Sequence, residues 1–121
     1  MKLAVVGSRS INDYVWIESV LESLMKEEDV TELVSGGAAG VDSLARRFAE
    51  EHSLGFTEIL PDWQRYGKIA GFIRNKLIVD YCDLLLAFWN GKSSGTANSI
   101  KLAEKQHKLK RILMTNVRTT T

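Results

Sequence analysis

The chain carries one cysteine, Cys82, so no internal disulfide can form. It sits in the apolar stretch "VDYCDLLLAFW" and reads as a buried small hydrophobe, in a protein expected in a reducing, cytoplasmic setting. No apolar run approaches the ~20 residues that a membrane-spanning helix needs, which excludes that class and a membrane partner with it. The start, "MKLAVVGSRS", offers only four consecutive apolar residues. A secretory signal needs roughly 7–15, so this start reads as mature structure. Histidine is scarce. His52 and His107 fall near expected helix C-termini, and no Cys, Asp or Glu stands at metal-ligand spacing from either along the chain, so no metal site is expected. No Ser-His-Asp or Cys-His arrangement is visible. Linkers, repeats and low-complexity segments are missing too, and 121 residues suffice for one domain with a modest core but not for two.

Net charge is also small, +1, but it is unevenly spread. Residues 1–60 hold 5 Lys/Arg against 11 Asp/Glu, and residues 61–121 hold 11 against 4. Lys101, Lys105 and Lys108 recur at helical spacing and read as a solvated basic face, since no nucleic-acid recognition motif accompanies them. The asymmetry also favours an anionic small ligand near the second half.

The hydrophobic fraction is 45% and the charged fraction 26%, values of an ordinary globular domain. The apolar pattern predicts strands at 2–7, 31–36, 55–60, 83–89 and 110–115, the third stopped by Pro61. Between them it predicts four helices. The first covers 13–28, capped by Asn12 or Asp13, with Val15, Trp16, Val20, Leu21 and Leu24 as its apolar residues. The second covers 41–52, with Val41, Leu44, Ala45, Phe48 and Ala49 on one face. The third covers 66–80 and is weakened by Gly67 and Gly71. The fourth covers 95–108, and the tail 116–121 is expected to fray. Strict alternation of strand and helix requires a parallel sheet clothed on both faces: a Rossmann-like, three-layer α/β/α domain of about five strands over 1–121.

In such sheets ligands bind outside the carboxyl ends of the strands. The unusual residues fall there. "GSRS" follows the first strand and supplies Gly7, Ser8 and Arg9. "SGGAAGVD" follows the second and supplies Ser35, Gly36, Gly37, Ala38, Gly40, Val41 and Asp42. This glycine loop runs directly into a helix, whose unpaired N–H groups and positive dipole attract phosphate. Asp42 opens that helix, either as an ordinary first-turn acid or as an acceptor from a ribose hydroxyl. "PDWQRYG" supplies Asp62 and Trp63, the latter for stacking on a base or for capping the core. "NGKSSGT" supplies Ser94, Gly95 and Thr96 at a second helix start, with Thr96 as a plain N-cap the alternative. Trp89 ends the fourth strand as core or pocket floor, and Trp16 reads as core. Arg74 and Asn75, in "GFIRN", offer a bidentate guanidinium to phosphate or ribose, or else Arg74 pairs with Asp80. Two common fingerprints fail. G-x-G-x-x-G would need glycine at Ser35, and the P-loop at "GKS" would need glycine at Leu86.

Taken together, "GSR", "VSGGAAGVDSLA", "DWQRYGKIAGFIRN" and "FWNGKSSGT" resemble the YspA-like, YpsA-related branch of the SLOG superfamily over about residues 2–105. The resemblance implies a Rossmann-like fold and a pocket for nucleotide-derived ligands, NAD- or ADP-ribose-like, a signalling nucleotide among them. The small single domain favours a sensor, carrier or sequestering protein, and no cofactor is expected. The resemblance also implies self-association, as a dimer or higher homo-oligomer, through exposed apolar residues of the first or third helix. The LOG phosphoribohydrolases of the superfamily resemble P-G-G-x-G-T-x-E-E, with an Arg on an earlier helix. Arg74 matches that Arg, whereas Asn98 stands where a Glu would be, and a neutral amide replaces a carboxylate poorly in glycosidic cleavage. Hydrolysis of an N-glycosidic or phosphoester bond is the alternative, with Asp42, Asp62 and Arg74 as catalytic candidates. DNA binding, known in the DprA/Smf branch, is a lesser alternative. An aromatic-basic stripe and the extra domains are missing, so a nucleic-acid partner is not expected.

Overall fold

Strand β1 (Lys2–Gly7) lies at the centre of a five-stranded, all-parallel sheet ordered β3-β2-β1-β4-β5, with β2 at Glu32–Ser35, β3 at Gly55–Glu58, β4 at Leu84–Trp89 and β5 at Leu109–Met114. The computed structural model describes residues 1–37 and 39–114. Ala38 and the expected frayed tail 116–121 lie outside the described residues.

Successive strand residues point to opposite faces. Leu3, Val5, Leu33, Leu86 and Phe88 join one core with helices α1 (Tyr14–Glu27) and α2 (Val41–Glu51). Ala4, Val6, Val34, Leu85 and Ala87 join a second core beneath helices packed on the opposite face. Those helices follow a one-turn α3 (Trp63–Tyr66) and a 3₁₀ turn (Gly67–Ile69): they are α4 (Ala70–Tyr81) and α5 (Ser94–Lys105). The result is the three-layer α/β/α arrangement that the strand–helix alternation requires. Among the described residues no helix is long and apolar enough to cross a membrane. Cys82 is buried in the second core.

Several boundaries and faces differ from the sequence reading, each for a physical reason. Asp13 caps α1, its carboxylate accepting from the Trp16 N–H at 3.1 Å. The core positions of α1 are Ile17, Leu21 and Leu24. Val15 is 76% exposed, because two residues before Ile17 is about 200° around the helix. Trp16 and Val20 pack on the core edge, Trp16 in a T-shaped contact with Phe88 at 5.2 Å. The expected third helix is split. Asp62 caps α3 by accepting from the Arg65 N–H at 3.1 Å, and Gly67, at φ +57°, ends it before α4 begins. Ser93, not Thr96, caps α5. Lys108 is not part of a free basic face, since its ammonium donates to the carbonyls of Val79 at 2.8 Å and Asp80 at 3.3 Å, at the negative end of α4. On its outer side α4 leaves Phe72, Leu77 and Tyr81 substantially exposed.

Candidate functional site

The order 3-2-1-4-5 reverses direction between β1 and β4, so the loops leaving these two strands diverge and open a crevice at their carboxyl ends. A cavity of about 520 Å³ occupies it. Its walls come from all four strand-end segments of the sequence reading. Gly7, Ser8 and Arg9 follow β1, Gly36 follows β2, and Asp42 opens α2. Trp63, Arg74 and Asn75 come from α3 and α4, and Ser94, Gly95 and Thr96 from the start of α5. A smaller hollow of about 340 Å³ lies beside it, bounded by Gly37, Leu60 and Pro61 and sharing Arg9, Gly36, Trp63 and Arg74 with the first.

Arg74 is the centre of the arrangement. Its Nη1 donates to the Gly36 carbonyl at 2.6 Å, and its Nε donates to Asn75 Oδ1 at 3.0 Å. Asn75, itself buried, donates onward from Nδ2 to Asn98 Oδ1 at 3.2 Å and to the Gly95 carbonyl at 3.3 Å. One hydrogen-bonded chain thus runs from the glycine loop after β2, through α4, to the first turn of α5. Burial pulls the Arg74 pKa down; the nearby Asp42 carboxylate pushes it up, and Arg9 lowers it again. A guanidinium nevertheless stays charged at any ordinary pH. Asp42, on the same cavity wall, is thus an acid whose charge bears on Arg74. Asp80, the partner considered from sequence, is taken by Lys76 at 2.8 Å and by Gln106 at 2.7 Å.

A Cβ at Gly36 would meet the Arg74 guanidinium, so glycine here leaves that side chain its place against the loop. Gly40 must be glycine twice over, since φ is +75° and a Cβ would strike the Arg9 backbone. Gly40 is also the N-cap of α2 and contributes no side-chain cap, which leaves first-turn N–H groups without an intrahelical partner. At α5 the loop is preformed. Asn90 Oδ1 accepts from the N–H groups of Lys92 and Ser93 at 2.8 and 2.9 Å, and Ser93 Oγ accepts from Thr96 N–H at 3.3 Å and Oγ1–H at 3.1 Å. Ser8 ties the two strand ends together, its N–H donating to the Phe88 carbonyl and its Oγ accepting from Asn90 N–H. Both helix starts, with two arginines between them, make this end of the sheet attractive to an anion.

Other residues singled out from sequence lie outside the cavity wall. Ser35 and Val41 are fully buried behind it, and Ser35 Oγ has no hydrogen-bond partner among the described residues. Asp62 is spent on capping α3 and lines neither hollow. Trp89 packs on the second core, with its Nε1–H donating to the Ser93 carbonyl at 3.0 Å, and so braces the α5 loop from behind. Trp63 is 55% exposed at the rim, with Phe72 beside it. Lys68, Phe72, Asn90, Ser93 and Ser99 also line the cavity and escaped the sequence reading. The loop composition around Asn90 and Ser93 was a usable signal, whereas Lys68 and Phe72 were hidden inside an apparent continuous helix. Folding also gathers Glu18 and Glu22, one turn apart on α1, with His52, and their ligand atoms lie within 4.8 Å of one another although His52 is remote from both along the chain. The His52 ring stacks on Phe48 at 3.9 Å there.

Residues 1–66 match the model of the YspA, cpYpsA-related SLOG family. The chain is 32% identical over 112 residues to the Gene 61 protein of Mycobacterium phage D29, covering 86% of this chain and 89% of that protein. Among solved structures it is similar to DNA processing protein A from Helicobacter pylori, with a TM-score of 0.69, 22% identity and 90% of this chain covered. It is similar also to DNA processing protein A from Streptococcus pneumoniae, with a TM-score of 0.73, 20% identity and 89% covered. This chain spans 63% and 48% of those two chains, and at such identity the likeness is one of fold. The Helicobacter pylori protein is described as having a unique single-stranded DNA binding mode.

Proposed function

Since the chain belongs to the YspA, cpYpsA-related SLOG family, we propose that it binds a nucleotide or nucleotide-derived ligand at the carboxyl edge of its sheet, as a sensor, carrier or sequestering protein. The observation that carries this reading is Arg74: a guanidinium held in place by the Gly36 carbonyl and Asn75, facing a cavity, with Arg9 beside it. Two helix N-termini open on the same cavity, and Trp63 at the rim offers an aromatic face to a base. A phosphate between Arg9 and Arg74 would relieve their mutual repulsion.

A second reading, hydrolysis of an N-glycosidic or phosphoester bond, draws on Asp42, the buried carboxylate of the cavity wall. The position of the LOG-type glutamate weakens it, because Asn98 is a neutral amide whose Oδ1 accepts from Asn75. The fold likeness to the Helicobacter pylori protein supports a single-stranded nucleic-acid ligand as the lesser alternative. Calorimetric titration with AMP and ADP tests the proposal. Saturable binding is expected, and Arg74→Ala should weaken it roughly 10- to 100-fold, the value of a lost charge-assisted hydrogen-bond pair. Chromatography of the same mixtures would reveal free base or ribose phosphate if Asp42 acts as a catalyst. Absence of heat with both nucleotides, alongside oligonucleotide binding that falls steeply with salt, would replace this reading with the nucleic-acid one.

A further inference from the structure

We propose that Glu18, Glu22 and His52 form a site for a divalent transition-metal cation of the zinc class, independent of the nucleotide reading, in which the ion ties α1 to the end of α2. Glu18 and Glu22 stand one turn apart on α1, so both carboxylates leave the same face of that helix. His52 is the C-cap of α2, which shares a core with α1. One ligand atom from each of the three lies within 4.8 Å of the other two.

The imidazole is anchored. Its ring stacks on that of Phe48, a fully buried core residue, with centroids 3.9 Å apart and planes 18° apart. Its Nε2 lies 3.9 Å from Glu18 Oε2, too far for a hydrogen bond, so the two face each other across a gap that neither closes. The acids of the group also differ from their neighbours. Glu51 is held by Arg47 and by the Tyr14 hydroxyl, and Glu28 by Lys110. Among the described residues, no lysine or arginine lies within ion-pair distance of Glu18 or Glu22. Like charges at this helical spacing repel, and a dication between them turns the repulsion into attraction. The negative end of the α2 dipole adds to the pull on a cation.

Two carboxylates and one imidazole suit zinc, which binds both donor types at about 2.0–2.2 Å and leaves its fourth position to water. Ligand atoms around such an ion stand roughly 3.3–3.5 Å apart, so closing the site takes shifts of about 1 Å. The partly buried Glu18 and the exposed Glu22 can make them while His52 stays on Phe48. An imidazole ligand disfavours magnesium and calcium, which take oxygen donors. The buried Cys82 offers no competing thiol. None of the three residues lines either hollow, and the 11 residues of α2 put about 16 Å between His52 and the glycine loop.

Calorimetric titration of the untagged protein with zinc chloride, and with magnesium chloride in parallel, tests the site with no nucleotide present. One equivalent of zinc is expected to bind with a Kd of about 10 μM or tighter, at least about 100-fold more tightly than magnesium. The melting temperature should rise with zinc by several degrees and return on addition of EDTA. Glu22→Gln, which alters an exposed side chain, and His52→Ala should each weaken zinc at least about tenfold, since even groups that merely orient a ligand are worth that much. Both should keep the parent circular dichroism spectrum, and His107→Ala, which removes the other histidine, should leave zinc affinity unchanged. A zinc Kd weaker than about 10 μM, magnesium binding as tight as zinc, or full zinc affinity in Glu22→Gln would overturn the proposal. Tight zinc binding without a rise in melting temperature would overturn the tie between the helices. Each of these outcomes leaves the nucleotide reading where it stands.

Discussion

Four glycines in or beside the site do different jobs, and only packing tells them apart. Gly40 is required by the Arg9 backbone and Gly36 leaves room for the Arg74 guanidinium, whereas a Cβ at Gly95 would meet nothing within 4 Å. Gly37 leaves Leu60 uncovered. Gly40→Ala must therefore hold alanine at φ +75° against a backbone carbonyl, and a loss of about 2 kcal/mol or more is expected in urea unfolding. Gly95→Ala should instead leave stability unchanged or raise it by up to about 1 kcal/mol, because alanine favours the helix. A Gly40→Ala protein as stable as its parent would refute the steric account. In sequence all of these glycines look alike, and Arg74 looks like any helical arginine. That Arg74 lies at the strand-end cavity was inferable from its motif; that the Gly36 carbonyl holds it was not.

Between elements, a single carboxylate joins three of them. Glu32 on β2 accepts from Thr57 Oγ1 on β3 at 2.6 Å and from the Tyr81 hydroxyl on α4 at 2.7 Å. The Thr57 bond, then the Tyr81 bond, hold its pKa below the ordinary 4.5. A depressed folded pKa means the ionised form is favoured in the fold. The contribution is present above pH 4.5 and is lost as pH falls from there through the depressed value. The melting temperature is expected to drop over that interval, and Glu32→Gln should flatten the drop; identical slopes in both proteins would remove Glu32 from the account. The elements themselves were largely legible. Period-two and period-3.6 patterns mark strands and helices, but they do not show that Gly67 breaks the third helix. They also leave open which of Val15 and Ile17 faces inward, since both are apolar and only the sheet's position decides.

For the whole molecule, the acidic first half and basic second half meet in space. Lys110 on β5 lies 3.0 Å from Glu28 and 3.6 Å from Glu27, and Arg111 lies 3.3 Å from Glu27, so part of the asymmetry is neutralised within the fold and not by a ligand. Cys82 reports on the integrity of the second core. Burial raises its thiol pKa and keeps reagent out, so iodoacetamide should modify the native protein at least about 100-fold more slowly than the protein in denaturant. Prompt labelling in native buffer would mean that α4 and α5 open readily. The sequence by itself determined the fold class and the edge of the sheet where the cavity opens. Apolar runs too continuous for one-sided strands demand helices on both faces, and loops of glycine and hydroxyl residues collect at one end. Only the tertiary structure decided the strand order, and with it the crevice between β1 and β4. It decided the chain Gly36–Arg74–Asn75–Asn98, the cap role of Asp62 and the second hollow over Leu60. Those depend on which distant segments touch, and contacts between residues 36 and 74, or 75 and 98, leave no periodic trace along the chain.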